Sequence, residues 1–270
     1  MQTFDTPGPL LVSITCPAGE VVVGTHDGPT TLVDVVALKN DDQTRDAVAN
    51  TLVELRPAAG DGHELVVQVP KRNGSFFGRE PRIRVEVTAP HASSLGFATA
   101  SAPVTAKGRF AGVRGKTASG DVTVTEADDV RLETASGDLR VDEVRGEASL
   151  KSASGDVKVG RVGGALNASV VSGDLRVGAA DGGGSASAVS GDIDLAAVRE
   201  GEVEVRTVSG DVTVGIRPGS RVHVDVTTVS GDLRSDLALD DAPDGGEGPL
   251  VDVRGRTVSG DLRVTRAAAG

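Results

Sequence analysis

The sequence predicts an all-β chain folded as a single elongated β-solenoid, a parallel β-helix with coils of about 18 residues and a degenerate N-terminal part. Three observations carry that expectation. Ser-Gly-Asp occurs eight times, starting at Ser119, Ser136, Ser154, Ser172, Ser190, Ser209, Ser230 and Ser259, at intervals of 17, 18, 18, 18, 19, 21 and 29 residues. The residue after each Asp is aliphatic (Val122, Leu139, Val157, Leu175, Ile193, Val212, Leu233, Leu262), and so is the residue two further on, except at Ser235. Aromatic residues make up only 2% of the chain, with no Trp or Tyr, whereas 36 of 270 residues are Gly. A nearly fixed period signals one supersecondary unit stacked on itself. Aliphatic residues at a spacing of two signal a strand with one buried face. A thin interior of Val, Leu and Ala leaves little room for large rings. A propeller blade needs about 40 residues, more than this period supplies.

In chain order, residues 1–98 read as a degenerate β-repeat and capping region, and residues 99–270 as the regular array. Pro17-Ala18-Gly19-Glu20-Val21 imitates the later corner, with Glu20 where Asp stands in the array. Strand-like runs follow at Thr31–Leu38, Leu65–Val69 and Ile83–Thr88, separated by loops rich in Gly, Pro and Asp. The polar segment Asn40–Asn50 fits either a short helix or an irregular excursion. Thr99-Ala100-Ser101-Ala102-Pro103-Val104 lies 18 residues before Thr117-Ala118-Ser119-Gly120-Asp121-Val122 and reads as a first coil that has lost its Gly-Asp.

Each regular repeat is a strand, a corner, a second strand and a return. The upstream strand shows as Val130 and Leu132, Ala148 and Leu150, Leu166 and Ala168, Val203 and Val205, and Val224 and Val226. Gly tolerates the backbone angles of the corner, and Ser and Asp can bond nearby amides. So short a repeat cannot bury its own apolar face, so like strands must stack about 4.8 Å apart. The residue before each serine is Ala118, Ala135 and Ala153, then Val171, Val189, Val208, Val229 and Val258, which predicts a core that widens toward the C-terminal repeats.

Two loops stand out. Lys71, Arg72, Phe76, Phe77 and Arg79 form a basic, aromatic loop in an acidic chain, either a partner contact or a plug closing the end of the array. The segment 236–249 holds Asp236, Asp240, Asp241, Asp244 and Glu247 and reads as an acidic surface insertion. No capping helix follows the last strand, so self-association through the solenoid ends is expected beside binding of a protein partner.

With 28 Lys and Arg against 39 Asp and Glu, a net charge of −11 disfavours nucleic acid and bare anionic membrane as partners. Cys16 is the one cysteine, which excludes an internal disulfide and a thiol metal cluster. Residues 1–11 lack a basic, then apolar, leader, and no run approaches the ~18 apolar residues of a membrane span. A cytoplasmic location follows as the expectation, with recruitment to a membrane through a partner as the other route.

The most suggestive column is Asp121, Asp138, Asp156, Asp174, Asp192, Asp211, Asp232 and Asp261. One Gly-Asp per coil supplies too few oxygens for calcium, so the column is expected to be structural, bonding corner amides beside the basic Arg140, Lys158, Arg176, Arg234 and Arg263. His26, His63, His91 and His223 are scattered without metal-ligand spacing, and eight equivalent serines argue against a unique nucleophile. No catalytic residue, cofactor or metal is expected. An enzyme acting on polysaccharide is the third-ranked alternative, and the chain lacks the aromatic platforms it needs.

The recurring Thr-Ala/Val-Ser-Gly-Asp-Val/Leu-Arg-Val, the leading Pro17–Val21 and the strand Leu65–Pro70 together resemble the bacterial DUF4097 group of adhesin-like β-strand repeat proteins. The resemblance implies a β-helical fold, no established enzymatic activity or cofactor, and association with the cell envelope. The function expected is therefore a non-enzymatic scaffold or protein-binding surface. A structural protein that polymerises through its terminal coils is the alternative.

Overall fold

Alternating Val, Leu and Ala in 3- to 14-residue segments makes strands wherever one face can be covered, and 23 strands account for most of the described residues. The structure is a computed structural model describing residues 1–58, 62–70, 81–237 and 248–268. The chain divides into two compact units, Met1–Gly137 and Asp138–Gly270. Each is a β-solenoid with two walls of parallel strands, as the repeat predicts.

In the unit Asp138–Gly270, the strand after each Ser-Gly-Asp stacks in register on its equivalent: Leu139 pairs with Val157, Val157 with Leu175, Leu175 with Ile193, and Ile193 with Val212. The upstream strands build the other wall, with Leu150 beside Ala168 and Ala186 beside Val205. Side chains at alternate positions meet between the walls, and Leu139, Leu150, Leu175, Ile193, Ile216 and Leu262 are all but inaccessible to solvent.

Spatial order departs from chain order near the last repeats. The strand Gly201–Ser209 pairs with Leu250–Ser259, bringing Ser209 opposite Ser259 across 50 residues of sequence. Leu250–Ser259 pairs on its other side with Arg221–Ser230. On the second wall Val212 lies beside Leu262, and Leu262 beside Leu233. The coil 250–266 is thus inserted between 201–216 and 221–235, so the outermost rung is not the last in sequence. Its inward residues Val222, Val224 and Val226 are only half-buried, and Leu233 is 47% exposed. Ser235, the one polar break in the inward column, belongs to this uncovered rung.

The unit Met1–Gly137 uses the same device. Leu11–Cys16 lies between His63–Gln68 and Ser94–Thr99, with Val12 opposite both Leu65 and Leu95. Glu20–His26 lies between Ile83–Pro90 and the first residues of Val104–Thr117. Antiparallel strands finish each wall: Leu52–Pro57 on His63–Gln68, and Thr30–Ala37 followed by Gln2–Asp5 on Ile83–Pro90. The first coil inferred from spacing is present, since Val104 pairs with Val122. The segment 40–50 is a helix, Asp42–Ala49, packed on Thr30–Ala37 and Ile83–Pro90 through buried Thr44 and Ala47. Its N-cap, Asp41, accepts the Thr44 N–H at 2.8 Å. The Lys39 ammonium 2.6 Å away, helped by Thr44, holds the Asp41 carboxyl well below the usual carboxylate range.

Candidate functional site

The features most available for function are the Ser-Gly-Asp corners, because they recur on every coil and turn the chain at the solvent boundary. In the second unit each corner Gly adopts a positive φ, 135° at Gly173 and 137° at Gly191. A side chain cannot replace it: a Cβ on Gly191 would lie 2.0 Å from the Gly173 carbonyl oxygen of the rung below. The Gly N–H donates to the serine carbonyl of the next rung, as from Gly173 to Ser190 at 3.1 Å.

The Asp side chains then join the corners into one ladder. Oδ1 of Asp138 accepts the backbone N–H of Asp156 at 2.8 Å, Asp156 that of Asp174 at 3.0 Å, and Asp174 that of Asp192 at 3.0 Å. Asp192 serves Asp211 at 2.9 Å, Asp211 serves Asp261 at 2.8 Å, and Asp261 serves Asp232 at 2.9 Å, following the spatial order of the rungs. The second carboxylate oxygen meets the basic column, as where Arg176 bonds Asp174 at 2.7 Å and Arg234 bonds Asp232 at 2.9 Å. These carboxylates serve as acceptors for backbone amides, each one rung apart from the next.

Asp121 lies in the first unit, where the corner is built differently. The Thr117 and Thr134 hydroxyls accept the N–H of Gly120 and Gly137, both at 2.9 Å. In the later copies the Gly N–H goes to the next rung instead, which leaves the buried hydroxyls of Thr207 and Thr257 without a partner.

The column before the serine corrects the expected widening core. Ala118, Ala135 and Ala153 are exposed, and Val171, Val189, Val208 and Val258 stand 48–50% exposed, with Val229 at 82%. Val203, Val205 and Thr207 point inward, so alternation turns Val208 outward, and the corner begins before the phase can reset. The result is a file of exposed valines, in spatial order Val171, Val189, Val208, Val258 and Val229, beside a file of exposed serines.

One buried ionic cluster had no signal in the sequence. Asp181, 9% exposed in the turn after Leu175–Ala180, accepts Arg161 Nη2 at 2.6 Å and Arg217 Nη1 at 3.1 Å. Its two carboxylate oxygens are taken by arginines one rung away on one side and two rungs away on the other, so it ties four stacked returns together past the one at Arg199. The basic, aromatic group Lys71, Arg72, Phe76, Phe77 and Arg79 lies outside the described residues, as do Asp240, Asp241, Asp244 and Glu247 of the acidic insertion.

The histidines form no common site, although the His91 backbone N–H donates to the His26 carbonyl at 2.9 Å. His26 bonds the Thr30 carbonyl at 2.7 Å and the Gly28 N–H, while His91 bonds the Thr25 hydroxyl at 2.8 Å. Among the described residues no three His, Cys, Asp or Glu side chains gather as a metal site. A cleft of about 770 Å³ beside Ala18, Gly19 and Pro103 is lined by a single carboxylate, Glu20, ion-paired with Arg84 at 2.8 Å. No helix of the described residues is long and apolar enough to cross a membrane.

No curated protein sequence matches the chain. Among solved structures, it is similar to a candidate adhesin from Bacteroides fragilis, with 14% identity, 97% of this chain and 95% of that one covered, and a TM-score of 0.47. A candidate adhesin from Parabacteroides distasonis aligns at 16% identity over 97% and 95% of the two chains, with a TM-score of 0.41. A candidate cell adhesion protein from Clostridium sporogenes aligns at 9% identity over 97% and 94%, with a TM-score of 0.27. The family profile of Toastrack DUF4097 matches residues 36–265, spanning residues of both units and all eight corner aspartates, and the chain belongs to that family.

Proposed function

We propose that this chain is a non-catalytic, adhesin-like scaffold whose outer surface binds a protein partner at the cell envelope. The exposed file Val171, Val189, Val208, Val258 and Val229 carries the reading. Exposed Val is ordinary singly, but stacked on successive rungs it forms a continuous apolar strip, and such strips mark protein contacts. Rigid spacing at about 4.8 Å matches the rise between β-strands rather than the contours of a small ligand. The repeated carboxylates, the groups best suited to chemistry, are engaged with backbone amides and arginines.

The test is capture of envelope proteins on the immobilised chain, followed by affinity measurement with the identified partner. The double variant Val189→Asp/Val208→Asp is expected to weaken binding at least about tenfold, because two charges would face an apolar contact. Deleting residues 71–80 or 236–249 is expected to leave binding in place. Binding that survives the valine changes and disappears with either loop would move recognition to that loop and overturn the assignment.

A further inference from the structure

We propose that two copies of this chain associate about a two-fold axis by antiparallel pairing of their Arg221–Ser230 strands, forming a closed dimer. The inference is independent of the partner-binding reading and starts from the uncovered rung. Arg221–Ser230 pairs on one side with Leu250–Ser259 and, among the described residues, forms no strand pairing on the other. Natural edge strands are blunted by brevity, Lys, Pro or a covering element. This one runs for ten residues, and the rung 221–235 contains neither Lys nor Pro. The outer strands of the other unit are four and six residues long, and the longer ends at Pro57.

The free hydrogen-bonding groups follow from the register. The Arg221 N–H donates to the Pro249 carbonyl at 2.8 Å, so residue 221 and alternate residues after it point their backbone groups toward the neighbouring strand. Val222, Val224 and Val226 therefore point theirs toward the open edge, while their half-buried side chains line the uncovered end of the core. A copy rotated by a two-fold axis through Val224 sets Val224 opposite itself and Val222 opposite Val226 as hydrogen-bonded pairs. The apolar interior then continues across the junction.

Charge selects this register over its neighbours. With the axis at Val224, His223 faces Asp225 of the second copy, and the pair occurs twice by symmetry. Moving the axis to Asp225 sets carboxylate against carboxylate, and moving it to His223 sets imidazole against imidazole. Both His223 and Asp225 are exposed on the outer face, free to meet across the axis. The Asp ladder also stops here: Asp232 Oδ2 is bonded to Arg234, and among the described residues no rung lies beyond it to donate to Oδ1.

Sedimentation equilibrium of the full chain tests the proposal. Wild-type protein is expected to show a monomer–dimer equilibrium with no larger species. Val224→Pro removes an edge-facing donor without breaking an internal ladder bond, and is expected to weaken dimerisation more than about tenfold while keeping a cooperative melt. Should that variant fold poorly, the exposed pair decides the matter. Asp225→His is expected to weaken the dimer roughly three- to tenfold, and His223→Asp/Asp225→His to restore it by exchanging the partners. A wild-type chain that stays monomeric to about 1 mM, or a dimer indifferent to the charge reversal and its rescue, would overturn the proposal.

Discussion

Replacing Asp156 separates the two things a carboxylate can do in the ladder. Its Oδ1 accepts the Asp174 N–H at 3.0 Å, whereas its charge meets Lys158 only at 3.8 Å and Arg176 at 3.9 Å. Asp156→Asn keeps an oxygen in place and removes the charge. At rung spacing, two like charges repel by about 1 kcal/mol in water, and the two basic side chains offset much of that. Asp156→Asn should therefore shift stability by less than about 1 kcal/mol in either direction. Asp156→Ala deletes the acceptor and leaves a half-covered amide to be satisfied by solvent, a loss of about 1–2 kcal/mol. Urea and thermal unfolding followed by circular dichroism read both variants, with a drop of about 2–8 °C in Tm expected for the Ala variant alone. If Asn proves as damaging as Ala, charge rather than bond acceptance holds the corner, and the structural account of the column fails.

Three further outcomes follow from the corner and the core. Gly191→Ala forces a Cβ to within 2.0 Å of the Gly173 carbonyl at a φ of 137°, and is expected to lower stability by more than about 2 kcal/mol in the same urea assay. Thr207→Val replaces a buried, unpartnered hydroxyl with a methyl of equal size and should raise stability by about 1 kcal/mol, a gain that calorimetry would register as a higher Tm. Burial pushes the Cys16 thiol up to about 11 from an ordinary value of 9.0, so the fold holds the neutral thiol more tightly than the unfolded chain does. Its contribution is complete below pH 9.0 and is lost as pH rises toward about 11, so the alkaline decline in stability should be shallower in Cys16→Ala than in the wild type.

The inward columns were legible because burial leaves a chemical trace: positions such as Val122, Val157 and Val212 hold aliphatic residues in every copy. The acceptor role of Asp was legible for the same reason, since a short carboxylate after Gly reaches a neighbouring amide. The valine file misleads because Val208 lies an odd number of residues from Val203 and Val205, and one strand cannot turn both sets inward. Parity along the strand, rather than apolar character, was the signal to follow. The exchanged positions of 221–235 and 250–266 left fainter traces in the longer intervals and in Ser235, the polar residue tolerated where no rung follows. Equivalent copies offer the same face to any neighbour, so sequence alone does not rank them in space. Asp181 left no trace, because a lone acid in a Gly-rich turn does not announce the arginines that reach it from separate rungs.

The insertion of 250–266 also sets an order of events during synthesis. Both of its neighbours leave the ribosome first, and they cannot close on each other without excluding it, so a gap one strand wide must stay open until residue 266 has emerged. Assembly of this region therefore waits for the last of the three rungs to be made, even if earlier rungs zip up as they appear. Until then two facing strand edges wait unpaired, and a nascent chain paused between residues 235 and 250 would be the species most in need of a chaperone.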